Sequence, residues 1–225
     1  VLLSRGRIFP EWDVTELGVA DSIMIKTLAK TSGVPESEIK SISRKKGDLG
    51  DAAEEILEKK RQTTLHKKSL SLSAVYSNLR KIPSIGGSGS VEKRMALISE
   101  LLSSATPEEG KYITRTVLQT LRLGVGEGTI RDAIAKAYGL EASLVERAHN
   151  IRNDFGEIVK IARKAGETGL KKLSLEVGRP LKPMLAQKTE GIEKAVEDMG
   201  GLAAWEIKYD GMRVIPYFHN PDSNN

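Results

Sequence analysis

A shift of 106 positions lays one stretch of this chain over another. Leu17-Gly18-Val19 falls on Leu123-Gly124-Val125, Ala29-Lys30 on Ala135-Lys136, Gly33 on Gly139, Ser37 on Ser143, Asp48 on Asp154 and Gly50 on Gly156. Nine of 35 ungapped positions agree, where chance would give roughly two, and the matches fall on helix punctuation. One long repeat, unlike a solenoid of many short ones, predicts two related helical lobes about a pseudo-two-fold axis.

Within the first copy, Gly33 stops a helix near Asp21–Ser32 and Pro35 opens the next. Gly47-Asp48-Leu49-Gly50 then turns the chain into a third helix, Asp51–Arg61. Helical spacing of Leu, Ile, Val and Ala continues to about Leu170, and aromatics are only 4%, so the fold class is mostly α. Further helices are predicted at Ser73–Lys81, Val91–Ser103, Pro107–Leu121 and Thr129–Tyr138. From Lys171 to Pro180 the period fails and Gly and Pro take over. A boundary near Glu176 divides a helical domain, 1–176, from a second unit, 177–225, with a short helix at Ile192–Met199 and a strand at Ala203–Arg213. The second copy has a helical lead-in from about Ser88 to Thr120 and the first has almost none before Leu17. Some tens of residues are therefore expected ahead of Val1, a start that is not Met.

The absence of cysteine excludes disulfides, thiolate metal sites and a cysteine nucleophile. No run approaches a membrane span and the first residues lack a signal peptide's order, so the expected location is cytoplasmic. His66, His149 and His219 have no metal-ligand spacing and are expected at the surface or in packing.

The net charge of +5 is modest, but it is unevenly placed. Between Lys59 and Val91 there is no Asp or Glu, while Lys59, Lys60, Arg61, Lys67, Lys68, Arg80 and Lys81 supply seven positive charges. This is either a solvated face or a phosphate-binding one. Beside it lies Gly86-Gly87-Ser88-Gly89-Ser90, followed by an amphipathic helix carrying Met95, Leu97, Ile98, Leu101 and Leu102. Glycines admit close backbone approach and a helix N-terminus attracts anions, so the loop is a phosphate cradle or a plain N-cap turn. It lacks the Gly-Lys-Ser/Thr ending of a P-loop. Arg122-Leu123-Gly124-Val125-Gly126-Glu127-Gly128 follows no strand, which argues against a dinucleotide fold and for a helix-loop-helix presenting amides and Arg122 to a duplex.

The most chemical stretch is Trp205-Glu206-Ile207-Lys208-Tyr209-Asp210-Gly211-Met212-Arg213. In a strand, Trp205, Ile207 and Tyr209 line one face and Glu206, Lys208 and Asp210 the other. The Asp210-Gly211 turn returns Arg213 toward Lys208. A desolvated lysine beside a cation becomes a nucleophile, and an arginine fork suits phosphoryl oxygens, so phosphorus is the fitting electrophile.

Glu206-x-Lys208-Tyr209-Asp210-Gly211-x-Arg213 resembles the nucleotidyl-transfer motif of ATP-dependent DNA ligases, and Arg179-Pro180-Leu181-Lys182-Pro183-Met184-Leu185-Ala186 resembles their lead-in to the adenylation domain. Capping enzymes and RNA ligases share the shorter Lys-x-Asp-Gly core. The preceding helical stretch resembles the DNA-binding domain of the archaeal and eukaryotic ligases, including Leu2–Trp12 and Lys46–Gly50. The resemblance implies a two-lobed helical DNA-binding domain with an internal duplication, followed by the first α/β elements of a nucleotidyltransferase domain. It makes Lys208 the residue that is adenylated, Glu206 a contact of the adenine and Arg213 a contact of the nucleotide's sugar and phosphates. Ser88, Gly89 and Ser90 would touch the DNA backbone, and Arg122 and Gly124 would reach the minor groove.

The cofactors so implied are ATP and Mg²⁺, the partner is nicked double-stranded DNA, and the intact protein has a sliding clamp as a candidate partner. After Arg213, Pro216 interrupts the alternating strand the family would show. The expectation is a ligase fragment that binds duplex DNA without completing nick sealing. The alternatives are a non-catalytic helical DNA-binding module and a helical protein-interaction scaffold.

Overall fold

Asp48 and Asp154, 106 residues apart, do the same thing. Each precedes a helix with extended backbone, and its carboxylate accepts a bond from the N–H three residues on, Asp51 at 2.7 Å and Glu157 at 3.2 Å. Such a cap satisfies donors that the first helical turn leaves without partners. The computed structural model describes residues 1–59, 69–121, 123–182 and 188–207, and among them the regular elements are ten α-helices and two short 3₁₀ turns, with no strand.

The repeat is exact at the level of elements. Helices α1 (Asp21–Ser32), α2 (Glu36–Lys46) and α3 (Leu49–Glu58) begin 106 residues before α7 (Glu127–Tyr138), α8 (Ala142–Arg152) and α9 (Phe155–Lys171). Gly33 and Gly139 close the first pair in the left-handed region, at φ 77° and 61°. Gly47 and Asn153 close the second, at φ 72° and 50°. Asparagine tolerates that region better than other side chains, so the cap survives the change of residue.

The copies also bury matching positions: Met24 and Ile130, Leu28 and Ile134, Ile39 and Val145, Leu49 and Phe155, Ala52 and Ile158, Ile56 and Ala162. They build separate cores, one spanning Ile8 to Val117 and the other Ile130 to Leu173. On α3 the small residue, Ala52, precedes the large one, Ile56, and on α9 the order is reversed, with Ile158 before Ala162.

Helices α4 (Leu72–Lys81), α5 (Ser90–Ser104) and α6 (Pro107–Val117) enlarge the first lobe. Helix α5 packs along α1, and α6 along α3. A Cβ on Gly110 would lie 2.1 Å from Leu57 Cδ1, so glycine is what lets α6 approach α3 so closely. The same seam carries charge. Lys111 of α6 binds Asp51 at 2.7 Å and Glu54 at 2.9 Å, and Arg115 binds Asp48 and Asp51 at 2.8 and 2.9 Å.

Several boundaries differ from the sequence expectation. Helix α3 starts at Leu49, because Asp48 is the cap, so Gly50 lies inside the helix. Helix α6 ends at Val117, short of Leu121, and Gln119 turns out at φ 56°. Helix α7 starts at Glu127, two residues early. A short helix α10 (Ile192–Asp198) stands in the last described segment. Residues 203–207, expected to begin a strand, carry no regular structure, and Trp205 and Ile207 are exposed where a core face was expected. No neighbouring strand among the described residues pairs with them. Residues 208–213 lie outside the described residues.

Candidate nucleic-acid interface

The Gly86–Ser90 turn follows a 3₁₀ turn at Ile82–Ser84 and leads into α5. Gly87 and Gly89 stand at φ 77° and 72°, a region that side chains rarely adopt. Nothing lies within 4 Å of a Cβ placed on Gly86, Gly87 or Gly89, and Ser88 and Gly89 are exposed. The turn is tied internally by Ser90 N–H to the Gly87 carbonyl at 3.3 Å and Lys93 N–H to that of Gly89 at 3.2 Å. The N-cap is Gly89, which offers no side-chain acceptor, and Ser90 is the first helical residue. An N-terminus without a capping oxygen leaves its amides to water or to an anion.

Arg94, one turn into α5, reaches back across this loop. Its Nη2 donates to the Ile85 carbonyl at 2.8 Å and its Nη1 to the Gly18 carbonyl at 3.2 Å. Around the turn, Arg80, Lys81, Lys93 and Arg94 have no carboxylate partner among the described residues. Arg80 lies 4.7 Å from the Phe9 ring centroid and donates to Tyr76 Oη at 2.7 Å, while Lys81 donates to Asn78 at 3.3 Å. Lys59, counted in the basic run, is paired instead with Glu55 at 2.7 Å, a contact that raises the lysine's pKa and lowers the carboxyl's. Lys60, Arg61, Lys67 and Lys68 lie outside the described residues.

The second predicted contact stretch is equally open. Gly124 stands at φ 66° with nothing within 4 Å of a Cβ, Leu123 is 48% exposed, and Gly126 caps α7. Arg122 lies outside the described residues. The equivalent loop of the first copy has the same Leu-Gly-Val sequence but is closed, with Leu17 and Val19 buried and the Gly18 carbonyl held by Arg94. Sequence matching presents the two loops as equals. One difference between them is Arg94 of α5, a helix that packs along α1 and reaches the first loop through the Gly18 carbonyl.

Of the nucleotide-site residues, Glu206 is exposed in an irregular segment, and Lys208 and Arg213 lie outside the described residues. Sequence reading also missed a cluster where the lobes meet. His149 stacks on Phe155, with centroids 3.7 Å apart, and burial pushes its pKa down. Its ring nitrogen lies within 4.8 Å of carboxylate oxygens of Glu11 and Glu127. Arg5 pairs with both glutamates and Lys182 with Glu127, so cations already neutralise these carboxylates. No spacing rule finds such a group, because its members come from four separate segments.

Residues 1–135 match the family model described as DNA ligase N terminus. The chain is 44% identical to a DNA ligase of Thermococcus fumicolans over 212 residues, 94% of this chain and 38% of that protein. It is 46% identical to one of Methanothermobacter thermautotrophicus over 213 residues, covering 95% and 38%. A third, from Archaeoglobus fulgidus, is 44% identical over 214 residues, again covering 95% and 38%. The chain thus spans less than two fifths of the length of these relatives. With a helical duplication, open glycine turns and a family match over more than half its length, the chain belongs to the DNA ligase N-terminus family.

Proposed function

We propose that this chain is the DNA-holding part of an ATP-dependent DNA ligase together with the opening of its adenylating part, divided near Glu176. The observation that carries the DNA-holding role is the Gly86–Ser90 turn, solvent-facing, uncapped by any side chain and accompanied by Arg80, Lys81 and Lys93, which have no carboxylate partner among the described residues. Backbone amides and unpaired cations hold phosphates of any sequence, which suits an enzyme that must join whatever ends it meets. Ser88, Gly89 and Ser90 serve the backbone, and Arg122 and Gly124 the groove edge. Leu173 is the last buried core residue among the described residues, while Leu175 and Val177 are exposed, which supports a boundary there.

In the whole protein Lys208 is the nucleophile. Its amine forms a bond to the α-phosphorus of ATP, pyrophosphate leaves, and the lysine loses a proton. AMP then passes to the 5′-phosphate at the nick, and the 3′-hydroxyl displaces it. Glu206 and Arg213 hold the nucleotide, and Mg²⁺ neutralises its phosphates; no residue of this chain is assigned to that ion. The chain by itself binds DNA without closing nicks.

The test is titration of a labelled nicked duplex with the chain between about 50 and 200 mM salt, with nick closure assayed in parallel. The expected result is binding that weakens steeply as salt rises, with no closure. Absence of binding throughout would favour a protein-interaction scaffold, and closure by the chain alone would overturn its assignment as a holding part.

A further inference from the structure

We infer that Arg94 is a positioning residue for the Gly86–Ser90 turn, holding it in the shape that meets a DNA phosphate. The inference rests on the DNA-binding reading above and goes beyond it, because the turn's own bonds, Ser90 N–H to the Gly87 carbonyl and Lys93 N–H to that of Gly89, do not fix its four exposed residues, two of them left-handed glycines, to the rest of the lobe. Such a turn has many alternatives open to it, and ordering it costs conformational entropy. Something outside the turn must offset that cost.

Arg94 is placed to do so. It is the one side chain of α5 that bonds to the residue preceding the turn, through Nη2 and the Ile85 carbonyl, so it closes the loop at its base. Its other terminal nitrogen anchors that base to the Gly18 carbonyl, 76 residues away in sequence. Gly18 lies between buried Leu17 and Val19, which makes the anchor point rigid. A Cβ on Gly18 would fall 2.8 Å from Arg94 Nη1, so the guanidinium would have to move aside for a larger residue there. A planar guanidinium can serve two carbonyls at once from a fixed fork, which a lysine ammonium on a flexible stem does poorly. Both terminal nitrogens are taken up by carbonyls, so the guanidinium ties the loop rather than offering itself to a phosphate.

The same contact is one difference between the copies. In the first, the Leu-Gly-Val loop is an anchor for the phosphate turn; in the second, Gly124 has no such neighbour and remains open. One sequence motif thus supports the interface in one lobe and forms it in the other.

The experiment compares the chain with Arg94→Met, which keeps the stem and removes the donors, and with Arg94→Lys. Three quantities are read: amide exchange at Ser90 and Lys93 without DNA, nicked-duplex affinity across a salt series, and thermal stability. For Arg94→Met, exchange at the turn's bonded amides, Ser90 and Lys93, should speed by about tenfold or more while the helices of the second lobe stay protected. Affinity should fall about tenfold with the salt slope unchanged, because uncharged loop contacts are lost and no phosphate-neutralising cation is. Arg94→Lys should restore part of both. A fall in the slope of about one would make Arg94 a direct phosphate contact and overturn the positioning role. So would altered stability with unchanged exchange and affinity. If the unaltered chain binds no DNA, the functional reading fails first, whereas binding by the unaltered chain that Arg94→Met leaves intact removes this inference alone.

Discussion

Asp51 shows how much one side chain does at the α3–α6 seam. Its carboxylate takes a bond from Lys111 and the field of Arg115, and the Lys111 bond is the main reason its pKa lies below the ordinary 3.8. A carboxyl whose pKa is lower folded than unfolded contributes stability that is fully present above the unfolded value and lost as pH falls through the folded one. The chain should therefore lose stability as pH drops below about 4, and Lys111→Met should flatten that part of the profile. Thermal melts between neutral pH and pH 3 read this directly; parallel curves for the two proteins would show that the pair contributes nothing. Asp48 was legible from sequence as turn punctuation, but its role as the cap of α3 was not. The cap moves the helix start ahead of Gly50, where a Cβ would fall 2.6 Å from Arg115 Cγ. A glycine in a string of turn residues reads as a turn until the partner helix that needs it is known.

At the scale of elements, the stops at Gly33 and Gly139 and the start after Pro35 were readable, because each rests on local backbone chemistry. So was the 106-residue offset, which the helices keep. The misplaced ends are those where a cap or turn lies a few residues from the expected place, Asp48 before α3 and Gln119 after α6. How closely two helices approach was not legible from local signals. The α3–α6 pair makes the point testable. Gly110→Ala should destabilise the chain by roughly 1–3 kcal/mol, since the new methyl meets Leu57 in a packed seam, although alanine is the better helix former. Urea unfolding followed by circular dichroism would measure it, and a gain in stability would mean that α6 can shift outward at little cost. The Gly86–Ser90 turn was equally visible as a glycine-serine string, while Arg94 was invisible. Its carbonyl partner at Gly18 leaves no period or spacing in the sequence.

Across the whole molecule, the two cores are joined by a few charged contacts. Glu127 opens α7 in the second lobe and receives Arg5 from the N-terminal segment and Lys182 from beyond α9. Partly buried charge-assisted contacts of this kind contribute roughly 1–3 kcal/mol. Glu127→Gln should therefore uncouple the lobes in part, broadening or splitting the calorimetric transition while amides inside each core stay protected. A transition as sharp as that of the unaltered chain would show that apolar contact alone couples them. The reversed order of alanine and isoleucine on α3 and α9 has a consequence for how two such similar lobes assemble. A helix offered to the wrong copy would set bulk against bulk at one level and leave a hole at the other. Copies matched in their backbone are therefore not interchangeable in their side chains at these two levels, which favours each copy folding onto itself.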